Sequence, residues 1–146
     1  MAPEKLIELC LGVPDIDESH RILSNIADRI LVSTPKQRKK LLRSMLREFR
    51  NNCDFEEKYM ELLGYPVDKH IDHVQEHITQ SQIMAGCTGE ESVEFYQKLF
   101  VDLLETHIRE FDLPIAYWAN SQYEVMEKTP EGLFEKLTAA YTDHVH

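Results

Sequence analysis

The sequence predicts an all-α fold, an antiparallel up-down-up-down four-helix bundle with an N-terminal arm and a helical C-terminal extension. Three observations point there. Four stretches carry apolar residues at helical spacing. Helix formers such as Leu, Glu, Lys and Met are abundant, while five Gly and six Pro are too few for a strand-rich fold with many tight turns. The connections between the stretches are short, which favours antiparallel neighbours. At 146 residues the chain is long enough for one core and too short for two ordinary domains. It therefore reads as a single domain, with the bundle over about 18–112 and the extension over about 113–146.

Residues 1–17 lack sustained periodicity and contain Pro3 and Pro14, so they read as an arm with a short turn over Lys5 to Leu11. Asp15 or Asp17 then caps a first helix over 18–33, whose buried face includes His20, Leu23, Ile26, Ala27 and Ile30. Thr34 and Pro35 supply an N-cap and a first-turn proline for a second helix running to Gly64. Its apolar stripe, with Phe49, Cys53, Met60 and Leu63, is interrupted by Asn52 and Glu56 one turn apart, and two polar groups in mid-stripe need partners. Gly64, Tyr65 and Pro66 turn the chain, and Asp68 caps a third helix through Ala85. Its inner positions are His70 or His73, then Val74, His77, Ile78, Ser81 and Met84. Thr88 and Glu91 have capping-box spacing and start a fourth helix near residue 89, with Tyr96, Phe100, Leu104, His107, Ile108 and Phe111 on its stripe. That helix is expected to stop near Asp112, because Pro114 disfavours helical geometry at Leu113. Ile115 to Trp118 and Pro130 to Tyr141 read as further helical pieces.

The formal net charge of -10 argues against nucleic acid or an anionic membrane as a partner, since Lys36 to Lys40 and the arginines after it are the only basic run. No apolar run approaches the ~20 residues of a membrane span. The first residues carry Glu4 and Glu8 and no cationic leader, so a cytoplasmic location is expected. Cys10, Cys53 and Cys87 are far apart and form no C-x-x-C pair, so they read as small buried or half-buried thiols.

A single histidine on an apolar face is ordinarily a core residue bonded to a backbone carbonyl. Here His20, Glu56, the pair His73 and His77, and His107 occupy inward positions on four different helices, and facing helices of a bundle are a usual source of metal ligands. His73 and His77 are four apart, so their rings stand on one helical face. An unpaired Glu56 carboxylate on an apolar stripe would cost several kcal/mol, which a nearby cation would resolve. Imidazole with carboxylate suits iron, manganese or zinc, and two carboxylates able to bridge favour a pair of irons over a single zinc. Asp112 follows His107 by five residues, about 140° around an ideal helix, so a π-type turn is needed to align them. His70, at the opening of the third helix, reads as a partly exposed neighbour of the site.

The signals I-D-x-x-H at Ile16 to His20, E-E-x-x-M-x-x-x-G-Y-P at Glu56 to Pro66, H-x-x-x-H at His73 to His77 and H-I-x-x-x-D at His107 to Asp112 together resemble the hemerythrin family, most closely its bacterial members. The resemblance covers residues 12–118. It implies a four-helix bundle with a non-haem diiron site that binds O2 reversibly; a member of this family is one of the standard examples of the up-down bundle. It further implies one iron on His73, His77 and His107, the other on His20, and bridges from Glu56 and Asp112. The family pattern on the second helix is H-F-x-x-E-E, and this sequence has Asn52 and Cys53 in place of its His and Phe. The loop from Pro66 to His73 is also about two residues longer than the common bacterial pattern, a tolerable surface change.

An amide is a weaker ligand than imidazole, so the iron beside His20 is expected to bind less tightly and to leave Asn52 lining an open position. Cys53 lies about 100° around the helix from Asn52 and does not replace it. Glu57 is expected to point outward. The first expectation is thus an O2-binding protein for sensing, storage or delivery, with Leu104 and Ile108 forming an apolar ligand pocket and a separate protein partner if it senses. The second is a diiron redox enzyme acting on peroxide or nitric oxide at the open position, since catalytic metal sites keep such a position. The third is a metal-poor interaction module.

Overall fold

The computed structural model describes residues 12–126, with side chains through residue 121. No strand occurs among them. The helices are α1 (Pro14–Leu31), α2 (Pro35–Leu63), α3 (Val67–Ala85), α4 (Val93–Phe100) and α5 (Leu113–Met126), and two π-helical turns, Val101–Glu105 and Ile108–Asp112, lie between α4 and α5. No described helix is long and apolar enough to cross a membrane. The turn expected over Lys5 to Leu11, the helical piece expected over Pro130 to Tyr141, and Cys10 lie outside the described residues.

α1 begins four residues earlier than expected, and Asp15 and Asp17 are in its first turn instead of capping it. Pro14 explains the shift, because its fixed φ and missing N–H suit a first helical position, while the two carboxylates favour the positive end of the helix dipole. Asp17 reaches back to accept from the Gly12 N–H at 3.2 Å. α2 starts as the sequence indicates: Thr34 accepts from the Gln37 N–H at 3.3 Å and Gln37 accepts from the Thr34 N–H at 3.0 Å. It ends at Gly64, whose φ of 62° is left-handed and easily reached only without a side chain.

Asp68 does not cap α3, which starts one residue sooner with Pro66 at its N-cap. α3 buries only a narrow strip of His73, His77 and Met84, so Ile78, expected inward, is 47 % exposed. α4 begins at Val93, capped by Ser92, which accepts from the Phe95 N–H at 3.1 Å. Thr88 and Glu91 do form the expected reciprocal pair, but inside the preceding loop. Glu91 accepts there from the Thr88 and Gly89 N–H groups and from the Thr88 and Tyr96 hydroxyls at 2.7 to 3.1 Å. Gly89 has φ 93°, and a β-carbon on it would lie 2.9 Å from Lys39 Cγ. Arg38 closes the loop by donating to the Gly89 and Glu91 carbonyls at 3.2 Å each.

The helix does not stop at Asp112. Leu113 keeps right-handed helical geometry (φ -56°, ψ -43°) and α5 follows directly. The π turn accounts for this, because widening the helix leaves one N–H without its usual acceptor and moves the carbonyl that a proline ring would strike. A large apolar cluster joins α1, α2, α4 and the first π turn through Leu23, Ile30, Met45, Phe49, Tyr96 and Phe100. A smaller one joins the end of α2 to α5 through Met60, Leu63, Tyr65 and Ile115. Along α2, Glu56 falls between Phe49 of the first cluster and Met60 of the second.

Candidate metal centre

The buried polar stripe interruptions converge. His20 comes from α1, Asn52 and Glu56 from α2, His73 and His77 from α3, and His107 and Asp112 from the π-turn region. None of these seven is more than 3 % exposed. The spacing of five between His107 and Asp112 is absorbed by the π turn Ile108–Asp112, which returns the aspartate to the histidine's face.

The two carboxylates divide their oxygens between two groups of imidazoles. Glu56 Oε1 lies 3.1 Å from His73 Nε2, 3.1 Å from His77 Nε2 and 3.6 Å from His107 Nε2. Asp112 Oδ1 lies 3.3 Å from His73 Nε2 and 3.2 Å from His107 Nε2. The other oxygens face His20, with Asp112 Oδ2 at 3.0 Å and Glu56 Oε2 at 3.7 Å from its Nε2. Glu56, His73, His77 and His107 form one set whose ligand atoms lie within 4.8 Å of one another, and His20, Glu56 and Asp112 form a second.

Many of these atoms approach without bonding. Both ring nitrogens of His20 and His107 and both Asp112 oxygens are buried with no hydrogen-bond partner. Buried polar atoms normally find partners, and among these the two Nε2 atoms and the Asp112 oxygens face one another where a cation could take their lone pairs. The donor set fits a metal ion on chemical grounds as well, since neutral imidazoles and ionised carboxylates are the ligands such ions take.

The electrostatics are those of mutually compensating charges. Burial by itself lowers the His20 pKa, but the Asp112 and Glu56 carboxylates outweigh it and raise the group to about 9. For His107 burial again acts downward and Asp112 then Glu56 lift it to about 10. His73 is raised on the same balance. Glu56 is held below the usual carboxylate range although burial pushes it up, because four imidazoles surround it, and Asp112 is lowered against burial and the Glu56 charge by His107 and His20.

Asn52 sits inside the site. Its Nδ2 donates to Glu56 Oε2 at 2.5 Å, on the His20 side, and its Oδ1 is buried without a partner. Cys53 turns away into the large apolar cluster, and burial, then the Glu56 and Glu57 charges, push its thiol pKa up. Among the described residues Cys53 and Cys87 are free thiols, the second half-buried. His70 is half-buried. Leu104 and Ile108 are 3 % and 1 % exposed within the apolar cluster that adjoins the histidines.

Sequence reasoning placed Phe49 and Phe111 on their apolar stripes and gave neither a role at the site. Phe49 packs edge-on against His77 and His107, with ring centroids 6.1 and 5.9 Å away, and Phe111 stacks on His107 at 5.4 Å. Phe111 was legible, being one turn from His107 on the same face. Glu57 departs from expectation: it is partly exposed but turns its Oε2 to His77 Nδ1 at 3.1 Å, because α3 packs close beside it. No protein-family model, curated protein or solved structure matches the chain.

Proposed function

We propose that the chain is a non-haem diiron protein of the hemerythrin type that binds O2 reversibly, for sensing, storage or delivery. The observation that carries this reading is the division of the carboxylate oxygens, one from each of Glu56 and Asp112 toward three imidazoles and one from each toward His20. Two carboxylates so placed suit two cations side by side. His73, His77 and His107 would hold one iron, His20 the other, with both carboxylates between them. The helices run antiparallel in up-down order in this reading, and a cytoplasmic setting accords with the free thiols of Cys53 and Cys87.

When bound, a pair of irons supplies electrons to a small oxidant such as O2 and recovers them on release. The protein's part is to keep the centre dry and its ligands fixed. Phe49, Phe111, Leu104 and Ile108 exclude water from the imidazoles, and the two carboxylates offset positive charge that burial would otherwise make costly. Asn52 draws electron density from Glu56 Oε2 through its hydrogen bond, which weakens that oxygen as a donor on the His20 side.

A second reading, a diiron redox enzyme acting on peroxide or nitric oxide, is favoured by the single imidazole on the His20 side, where Asn52 turns toward Glu56 its Nδ2, an amide nitrogen with no lone pair to give a metal. Loading with Fe(II) under argon, followed by iron analysis and optical spectra through cycles of O2 addition and removal, separates the two. The first reading expects two irons per chain and a visible band that comes and goes with O2. Irreversible bleaching with turnover of peroxide or nitric oxide would replace it by the second, and uptake of no iron would refute both.

A further inference from the structure

We propose that Glu57 is a positioning residue that fixes His77 for metal binding and adds to the affinity of the three-histidine half of the centre; the proposal rests on the metal-binding reading above. Glu56 and Glu57 are adjacent on α2 and about 100° apart around it. The first faces the centre of the site. The second reaches toward α3, where its Oε2 meets His77 Nδ1 at 3.1 Å.

An ionised carboxylate can only accept, so the His77 Nδ1 carries the proton and donates it. The other ring nitrogen, Nε2, is thereby aimed at the centre, 3.1 Å from Glu56 Oε1. His77 is distinguished by this partner. The Nδ1 atoms of His20, His73 and His107 are all buried and have none. No hydrogen bond behind the ring holds those three, whereas a carboxylate acceptor at Nδ1 sets both the tautomer and the plane of the fourth.

Glu57 lies at the edge of the site. Its side chain is 33 % exposed while that of His77 is 4 % exposed, so the pair spans the boundary between solvent and site. The carboxylate opens into a cleft of about 460 Å³ between α2 and α3, lined by Arg50, Cys53, Asp54 and Ser81 among others. It stays hydrated on one side and polarises the imidazole on the other. A carboxylate behind a ligating histidine raises the ring's donor strength, and losing such a partner typically weakens metal binding by about 10- to 100-fold.

The test uses Zn(II) as probe, with the full chain in its wild-type, Glu57→Ala and Glu57→Gln forms. Affinities come from chelator competition, and the His77 Nδ1 proton is followed by nitrogen-15 NMR of the zinc-loaded protein. Glu57→Ala is expected to weaken the tighter ion by about 10- to 100-fold, leave the weaker ion unchanged and expose the Nδ1 proton to rapid solvent exchange. Glu57→Gln keeps an acceptor without charge, so it should lose less affinity and retain the Nδ1 signal. Unchanged affinity of the tighter ion in Glu57→Ala would overturn the proposal alone, as would equal weakening of both ions. Wild-type protein that takes up neither Zn(II) nor iron would overturn the metal-binding reading and this proposal with it.

Discussion

Asp112 Oδ2 lies 3.0 Å from His20 Nε2 while Asp112 Oδ1 lies 3.2 Å from His107 Nε2, so one aspartate joins the first described helix to the helix segment that carries Asp112 itself. Glu56 makes the same kind of span from α2, and the two halves of the site differ mainly in how many imidazoles each contains.

That difference predicts unequal metal loss. His77→Ala should weaken the tighter ion by more than the roughly 10- to 100-fold that loss of an outer hydrogen-bonding partner costs, whereas His20→Ala should affect chiefly the weaker ion. Iron or zinc per chain at limiting free metal is the measurement. Equal, stoichiometric loss from the two variants would contradict the asymmetry.

Asn52→His should add an imidazole beside His20, tighten the second ion and slow oxidation of the O2-exposed protein. The Asn52 site is 1 % exposed and already packed, so the larger ring should destabilise the metal-free protein by about 1–3 kcal/mol, a loss that metal loading reverses. Thermal melts with and without metal, together with iron per chain, test both parts. If the wild-type protein already holds two irons as firmly as the variant, Asn52 is no weakness.

Metal uptake should release protons. In the metal-free protein His20 titrates at about 9 and His107 at about 10, so both are charged at pH 7.5, and an ion can bind only by displacing those protons. Roughly two protons should appear in a weakly buffered Zn(II) titration, one from each ring. Affinity should climb with pH up to that range. The metal-free fold behaves oppositely: folded pKa values above the unfolded 6.5 contribute stability that is fully present below pH 6.5 and is lost as pH rises through about 9 to 10. Metal-free melts that rise with pH between 7 and 10 would contradict this.

Glu91 predicts an acid-side effect. Burial pushes its carboxyl upward, but the Thr88 N–H and hydroxyl and the Tyr96 hydroxyl outweigh this and hold it at about 2, below its ordinary 4.5. A depressed folded pKa stabilises above the unfolded value and stops doing so as pH falls through the folded one. Glu91→Gln should therefore melt at lower temperature than wild type at pH 6, with the gap closing between pH 4.5 and 2. A gap that stays constant over that window would assign the loss to shape instead of charge.

The sequence made the helices and the convergent groups legible wherever a polar residue interrupted an apolar stripe, as at His20, Glu56 and His107. Spacing alone indicated the widened turn before Asp112. Local competition was harder to read. Pro14 and Asp17 both signal a helix start, and the proline's fixed geometry prevails; Thr88 and Glu91 fit a capping box equally well in a loop, where Arg38 and Gly89 hold them. Glu57, about 100° around the helix from Glu56, reads as outward from spacing alone, and only the packing of α3 beside it brings it to His77.

The bond from Trp118 Nε1 to the Leu63 carbonyl, 3.0 Å long, ties α5 to the end of α2. It satisfies a carbonyl in the last turn of α2, while Ile115, 1 % exposed, covers Met60 and Tyr65. A fragment cut after Asp112 would keep every candidate ligand and yet bare that apolar floor beneath Glu56. A fragment meant to keep the centre covered therefore has to extend past the last candidate ligand to at least Ala119, and a transplant of the centre into another scaffold must take those residues along.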